Sequence, residues 1–103
     1  MTMIQSALEY ARGWADPSLH AIIDKLIKSP KITAKIDYAE VGGPRHTTLL
    51  LAAQKSEFRV WLEGGVIFRY ERESLRARVK HQYGDSIESV LKNIDEWADH
   101  SRR

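Results

Sequence analysis

The sequence predicts an α+β domain of two layers: a four-stranded antiparallel meander with two N-terminal and two C-terminal helices (ααββββαα). Three observations predict it. Apolar residues recur at helical spacing at both ends of the chain, and they alternate with a period of two in the middle. The connections between these runs are short, which suits antiparallel neighbours. With 103 residues and neither an internal repeat nor a linker, residues 1–103 read as one domain with a core of its own.

The first helix begins near Thr2, where Thr2 as N-cap and Gln5 three residues on form a capping box. Ile4, Ala7, Leu8 and Ala11 supply its apolar stripe, and Gly13 weakens its end. Asp16-Pro17 restarts a helix with Asp16 as cap and Pro17 in the first helical position. Leu19, Ile22, Ile23, Leu26 and Ile27 follow at helical spacing, and Ser29-Pro30 stops the run. In residues 31–40, Ile32, Ala34, Ile36 and Tyr38 alternate with Lys31, Thr33, Lys35 and Asp37, the pattern of a strand with one wet face. Val41–Arg45 is turn-rich, and His46–Ala53 is a nearly continuous apolar strand suited to a central place. After the polar turn Gln54–Ser56 comes FRVWLEGGVIFRY, residues 58–70, two alternating runs around Gly64-Gly65, which is a β-hairpin.

The hairpin's register decides which side chains remain for a partner. A two-residue loop, Gly64-Gly65, groups Arg59, Trp61, Val66, Phe68 and Tyr70 on one face and leaves both faces mixed. A three-residue loop, Glu63-Gly64-Gly65, collects Phe58, Val60, Leu62, Val66, Phe68 and Tyr70 on one face and Arg59, Trp61, Ile67, Arg69 and Glu71 on the other. The second choice sorts apolar from polar better, and a type I turn closed by a left-handed glycine builds it. We therefore expect the three-residue loop. Beyond it, Ser74 as cap, Leu75, Val79 and Tyr83 as apolar face and Gly84 as stop predict a third helix. Asp85 with Glu88 opens a fourth, along which Ile87, Val90, Leu91, Ile94, Trp97 and Ala98 form the strongest stripe in the chain.

Composition narrows the class. Apolar residues are 43% and charged residues 29%, which places the chain among folded globular domains. With no cysteine, disulfides and thiolate chemistry are excluded and a reducing, cytoplasmic setting is expected. The first residues lack a basic start followed by an apolar run, so no signal peptide is expected, and no run approaches membrane length. A net charge of +2 does not by itself point to nucleic acid.

Two surfaces stand out as binding candidates. The sheet face left open by the helices carries Lys31, Thr33 and Lys35, then Arg59 and Trp61, then Ile67 and Arg69. A tryptophan among cations can anchor a protein or stack a base, and a single aromatic on this face argues for the protein. The bland reading is a Trp61–Ile67 cross-strand pair that stabilises the hairpin. The second surface is the basic run Arg69, Arg72, Arg76, Arg78, Lys80 and His81, in which Arg72, Arg76 and Lys80 would line one side of the third helix. The bland reading there is a solvated basic helix balanced by its neighbour, in which Asp85, Glu88, Asp95, Glu96 and Asp99 face only Lys92.

The four histidines, His20, His46, His81 and His100, lie in separate elements without metal-ligand spacing. The Gly42-Gly43 loop precedes a strand and lacks the Lys-Ser/Thr of a phosphate loop. No cofactor, metal or catalytic set is expected. The expected function is therefore a small non-enzymatic domain of inhibitor, immunity or adaptor type. It would dock on a larger protein through Arg59, Trp61, Ile67, Arg69, Arg72, Arg76 and Lys80. A phage or mobile-element source is the expected context for such an inhibitor. The alternative is nucleic-acid binding through the basic helix 72–81. A small enzyme or carrier with Tyr38, Tyr70 and Tyr83 around a cavity is a third class, and a homodimer through the sheet edge or the apolar side of the first helix is open as well.

Overall fold

The computed structural model describes residues 3–73, 78–83 and 86–101. Its helices are α1 (Met3–Trp14), α2 (Pro17–Ile27), α3 (Pro30–Thr33) and α4 (Ile87–Ser101). Its strands are β1 (Tyr38–Gly42), β2 (Thr48–Ala53), β3 (Ser56–Glu63), β4 (Val66–Glu73) and β5 (Arg78–Tyr83), with a short 3₁₀ turn at Pro44–His46. The strands form one antiparallel meander in the order β1-β2-β3-β4-β5. The α+β class, the N-terminal helices, the antiparallel meander and a C-terminal helix stand as expected, but the sheet has a fifth strand where four were expected, and one C-terminal helix is described where two were expected.

Three local expectations fail, each for a physical reason. The predicted third helix is strand β5, paired with β4 from Ile67↔Tyr83 to Arg72↔Arg78. Val79, His81 and Tyr83 fit a period of two as well as Val79 and Tyr83 fit a turn of helix, and short runs do not separate the two. The free edge of β4 offers a ladder of backbone hydrogen bonds, and Val and Tyr suit it. Ser74 and Gly84, the caps invoked for that helix, lie outside the described residues, as do Thr2 of the first capping box and Asp85.

The predicted strand over 31–40 is shorter, because Pro30 in a first helical position starts the single turn α3. Thr33 is then buried with its Oγ1 donating to the Pro30 carbonyl at 3.3 Å, and Ile36 turns into the core. Strand β1 begins only at Tyr38.

The hairpin closes with two residues, pairing Glu63↔Val66 and Trp61↔Phe68. Gly64 and Gly65 both have positive φ, 56° and 80°, which makes a type I′ turn whose twist matches the strands it joins. Backbone geometry wins over the cleaner sorting of side chains, because the inner face accommodates the polar residues it receives. Replacing Gly65 with valine forces a branched side chain into the left-handed region. It is expected to cost at least about 1–2 kcal/mol, whereas Gly64→Asn, tolerant of that region, is expected to be neutral or stabilising. Urea unfolding of both variants checks this.

The core lies between the inner sheet face and the helices. Leu49, Leu51, Ala53, Phe58, Val60 and Ile67 from the sheet meet Ile4 and Leu8 of α1, Leu19, Ile22, Ile23 and Leu26 of α2, and Val90, Ile94, Trp97 and Ala98 of α4. Helix α2 is capped as its sequence dictates, the Asp16 carboxylate accepting from the Ser18 amide at 2.9 Å. Helix α4 is capped by Ser86, whose Oγ accepts from the Ser89 amide at 3.2 Å. Arg12 reaches Asp24 with two nitrogens, at 2.6 and 3.2 Å, and ties α1 to α2. Lys35 ties the chain after α3 to α4 through Asp95 at 2.7 Å and Asp99 at 3.7 Å.

One buried polar contact anchors α4 to the sheet: the Trp97 indole donates to Ser56 Oγ at 2.7 Å. Ser56→Ala leaves that N–H without its acceptor and is expected to cost about 1–3 kcal/mol in denaturant unfolding. Acid acts on two carboxylates. Hydrogen bonds from the Ser18 amide and then its side chain hold Asp16 below the usual carboxylate range, and the hydrogen bond from Arg12 does the same for Asp24. A folded-state pKa below the unfolded one gives stabilisation that is complete above the ordinary value of about 3.9 and lost as pH falls through the folded one. The melting temperature is therefore expected to decline in acid, and Asp24→Asn to flatten that decline while lowering stability near neutral pH.

Candidate functional site

The two-residue turn sets what the outer sheet face presents. Side chains alternate along each strand, so the residues that do not enter the core line up in rows across the sheet. One row runs Thr48, Trp61, Phe68, and the next runs Leu50, Arg59, Tyr70. A third runs Ala52, Glu57, with Arg72 as the register partner of Glu57. On β5 the positions opposite Phe68, Tyr70 and Arg72 are Gln82, Lys80 and Arg78.

Trp61 and Phe68 are stacked, with ring centroids 5.9 Å apart and planes 14° from parallel. The Trp61 indole N–H donates to Glu63 Oε1 at 2.9 Å, which fixes the ring's orientation on the strand. Beside the stack lies a shallow depression of 640 Å³, walled by Pro44, Thr47, Glu57, Arg59, Trp61 and Tyr70. Its charges are of both signs, and Arg59 Nη2 stands 3.8 Å from Glu57 Oε2. The face therefore offers an ordered aromatic ridge, an apolar neighbour in Leu50, and a rim that can donate and accept.

Of the residues singled out from sequence, Arg59 and Trp61 are on this face, Arg59 exposed and Trp61 half-buried. Arg72 and Lys80 hold register positions on β4 and β5 next to it, but on strands, so the basic helical stripe does not exist. Arg76 lies outside the described residues. Ile67 is a core residue at 3% exposure, and its pairing with Trp61 gives way to Trp61↔Phe68. Arg69 points inward: its side chain is 13% exposed, its guanidinium lies 5.6 Å from the centroid of the Phe58 ring, and Nη1 donates to Asn93 Oδ1 at 3.2 Å. Lys31 and Thr33 belong to α3, and Lys35 is engaged with α4. Phe68, Tyr70 and Leu50 were missed as surface residues. The Gly-Gly pair itself carried the signal, because two adjacent glycines are the favoured content of a two-residue I′ loop.

Among the described residues no group of three or more His, Cys, Asp or Glu could hold a metal ion, and no helix is long and apolar enough to cross a membrane. The His20 ring is 3.2 Å from the Ala15 carbonyl, and the His46 ring packs 6.1 Å from Trp14. Comparison with protein-family models, curated proteins and solved structures finds no match to this chain.

Proposed function

We propose that this protein is a small non-enzymatic binding domain, of inhibitor, immunity or adaptor type, which docks on a larger protein through the outer face of its sheet. The observation that carries the reading is the Trp61–Phe68 stack beside Leu50 and Tyr70 on the sheet face opposite the one that the described helices α1, α2 and α4 cover. Trp, Tyr and Arg are the residue types that dominate binding energy at protein interfaces, and they do so where a polar rim excludes water around them. Here Glu57, Arg59 and Glu63 supply the rim. The indole is already oriented by Glu63 and Phe68, so little side-chain entropy is lost on docking. Carboxylates at Glu57 and Glu63 beside the ridge favour a partner of mixed charge over a continuous polyanion.

A second reading has a specific observation behind it. Trp61, Phe68 and Tyr70 share this face with Tyr38 at its β1 edge, with Arg59 among them and Lys80 opposite Tyr70 in the register. Single-stranded nucleic acid is bound on sheets of this composition by base stacking and backbone charge.

Affinity capture from the native cell with wild-type protein, Trp61→Ala and Phe68→Ala tests both readings. The expected result is a protein retained by the wild type and lost by the variants, with a drop in affinity of at least about 30-fold, the size of a hot-spot truncation. Circular dichroism of the variants should be unchanged. Full affinity in both variants removes the sheet face as the site. A ligand released by nuclease, with binding that falls steeply between 50 and 200 mM salt, moves the assignment to nucleic acid.

A further inference from the structure

Helix α1 has more apolar surface than the core uses. Ile4, Leu8 and Ala11 are buried. A second stripe, Met3, Ala7, Tyr10 and Trp14, runs beside them and stays out, with Met3 92%, Tyr10 72% and Trp14 59% exposed. Its spacings are four, three and four residues, the a/d repeat of a helix seam. The rings are held in place: Trp14 lies 6.4 Å from Tyr10 on one side and 6.1 Å from His46 on the other. Tyr38 of the edge strand β1, 49% exposed, extends the patch. Between α1 and β1 lies an apolar depression of 470 Å³, lined by Ala7, Tyr10, Trp14, Tyr38 and Val41 among others.

We propose that this stripe is the interface of a homodimer, in which α1 packs antiparallel against α1 of a second copy across a two-fold axis. The occupant is argued from the pattern itself. Spacings of four, three and four read the same in either direction, so the stripe is superposed on itself by a two-fold placed between Ala7 and Tyr10, as an isologous interface requires. That operation sets Ala7 against the partner's Tyr10 and Met3 against the partner's Trp14. Each ring then meets a small or a flexible side chain, the alternation that lets two helices interdigitate. A thioether against an indole is a favourable contact, and the depression beside β1 is where the partner's Met3 comes to rest.

The flanks agree with this. Ser6 and Gly13 border the stripe on its open side and are small and uncharged, so the helices can approach closely. Arg12, the nearest cation on α1, is turned away and paired with Asp24. The exposed parts of Met3, Tyr10, Trp14 and Tyr38 come to on the order of 500 Å², at the upper end of apolar patches left on monomers. With the rim they approach the roughly 800 Å² per partner of a standard interface. Tyr38 is the register partner of Ala52, so the patch meets the outer sheet face at the β1 edge, while the Trp61–Phe68 stack lies on β3 and β4, away from α1, and the dimer leaves it free.

Sedimentation equilibrium of the wild type, Tyr10→Glu and Trp61→Glu tests the proposal. The expected masses are twice 11.8 kDa for the wild type and Trp61→Glu, and 11.8 kDa for Tyr10→Glu with an unchanged circular dichroism spectrum. Because the chain has no cysteine, Ala7→Cys gives a single site for a short bismaleimide. It should cross-link to a dimer, and Ser18→Cys on α2 should not. A wild type that stays monomeric up to about 1 mM, the weak end of specific association, overturns the proposal. So does a dimer that Tyr10→Glu preserves or Trp61→Glu abolishes, or an Ala7→Cys protein that fails to cross-link.

Discussion

Phe58→Ala is expected to lower the free energy of unfolding by about 3–5 kcal/mol, the cost of emptying a buried aromatic site. Phe58 is fully buried near the start of β3, the central strand of the sheet. Its ring lies 5.4 Å from Trp97 of α4 on one side and under the Arg69 guanidinium on the other. A loss of that size moves the melting temperature by well over 10 °C in a domain this small, and it can exceed what a marginally stable fold holds in reserve. Denaturant unfolding of Phe58→Ala and Phe58→Leu checks it. The leucine variant retains most of the volume and should lose much less.

Arg69→Ala is expected to cost on the order of 2–3 kcal/mol, and Arg59→Ala less than about 0.5 kcal/mol. The contrast discriminates between hairpin registers. In a three-residue loop both arginines would be solvated on the same face and both substitutions would be nearly neutral. In the observed register Arg69 is inward, covering Phe58, donating to Asn93, and standing 3.6 Å from Glu71 Oε2 through Nε. Its loss removes a packed stem and leaves Glu71, itself partly buried, beside a void. Arg69→Lys should recover only part of the stability, since an ammonium cannot lie flat on a ring while donating in the guanidinium plane. Equal, small effects at both positions would refute the inward placement.

The helices at the two ends were legible because their signals are long and redundant. Asp16-Pro17 both caps and starts α2, and the stripes of α2 and α4 each extend over more than two turns. The segments 31–36 and 75–83 were not legible, because each is short enough to satisfy two periods at once. In the first, Pro30 began a helical turn that the alternation disguised. In the second, an edge of β4 was waiting to be paired, and no local pattern records that. Half of the candidate site was visible, since Arg59 and Trp61 stand outward in either register. Phe68 and Tyr70 were hidden by the assumption that apolar side chains always turn inward. Here the glycines' left-handed backbone outweighed that tendency.

What this sequence determined by itself is where the chain bends, caps and alternates, because those signals act between residues a few positions apart. Which face of the hairpin meets the helices was decided only in the folded molecule. A one-residue choice at Gly64-Gly65 inverts every side chain of β4 from Val66 to Tyr70 relative to β3, and the energy that settles it comes from partners as distant in sequence as Asn93 and Trp97.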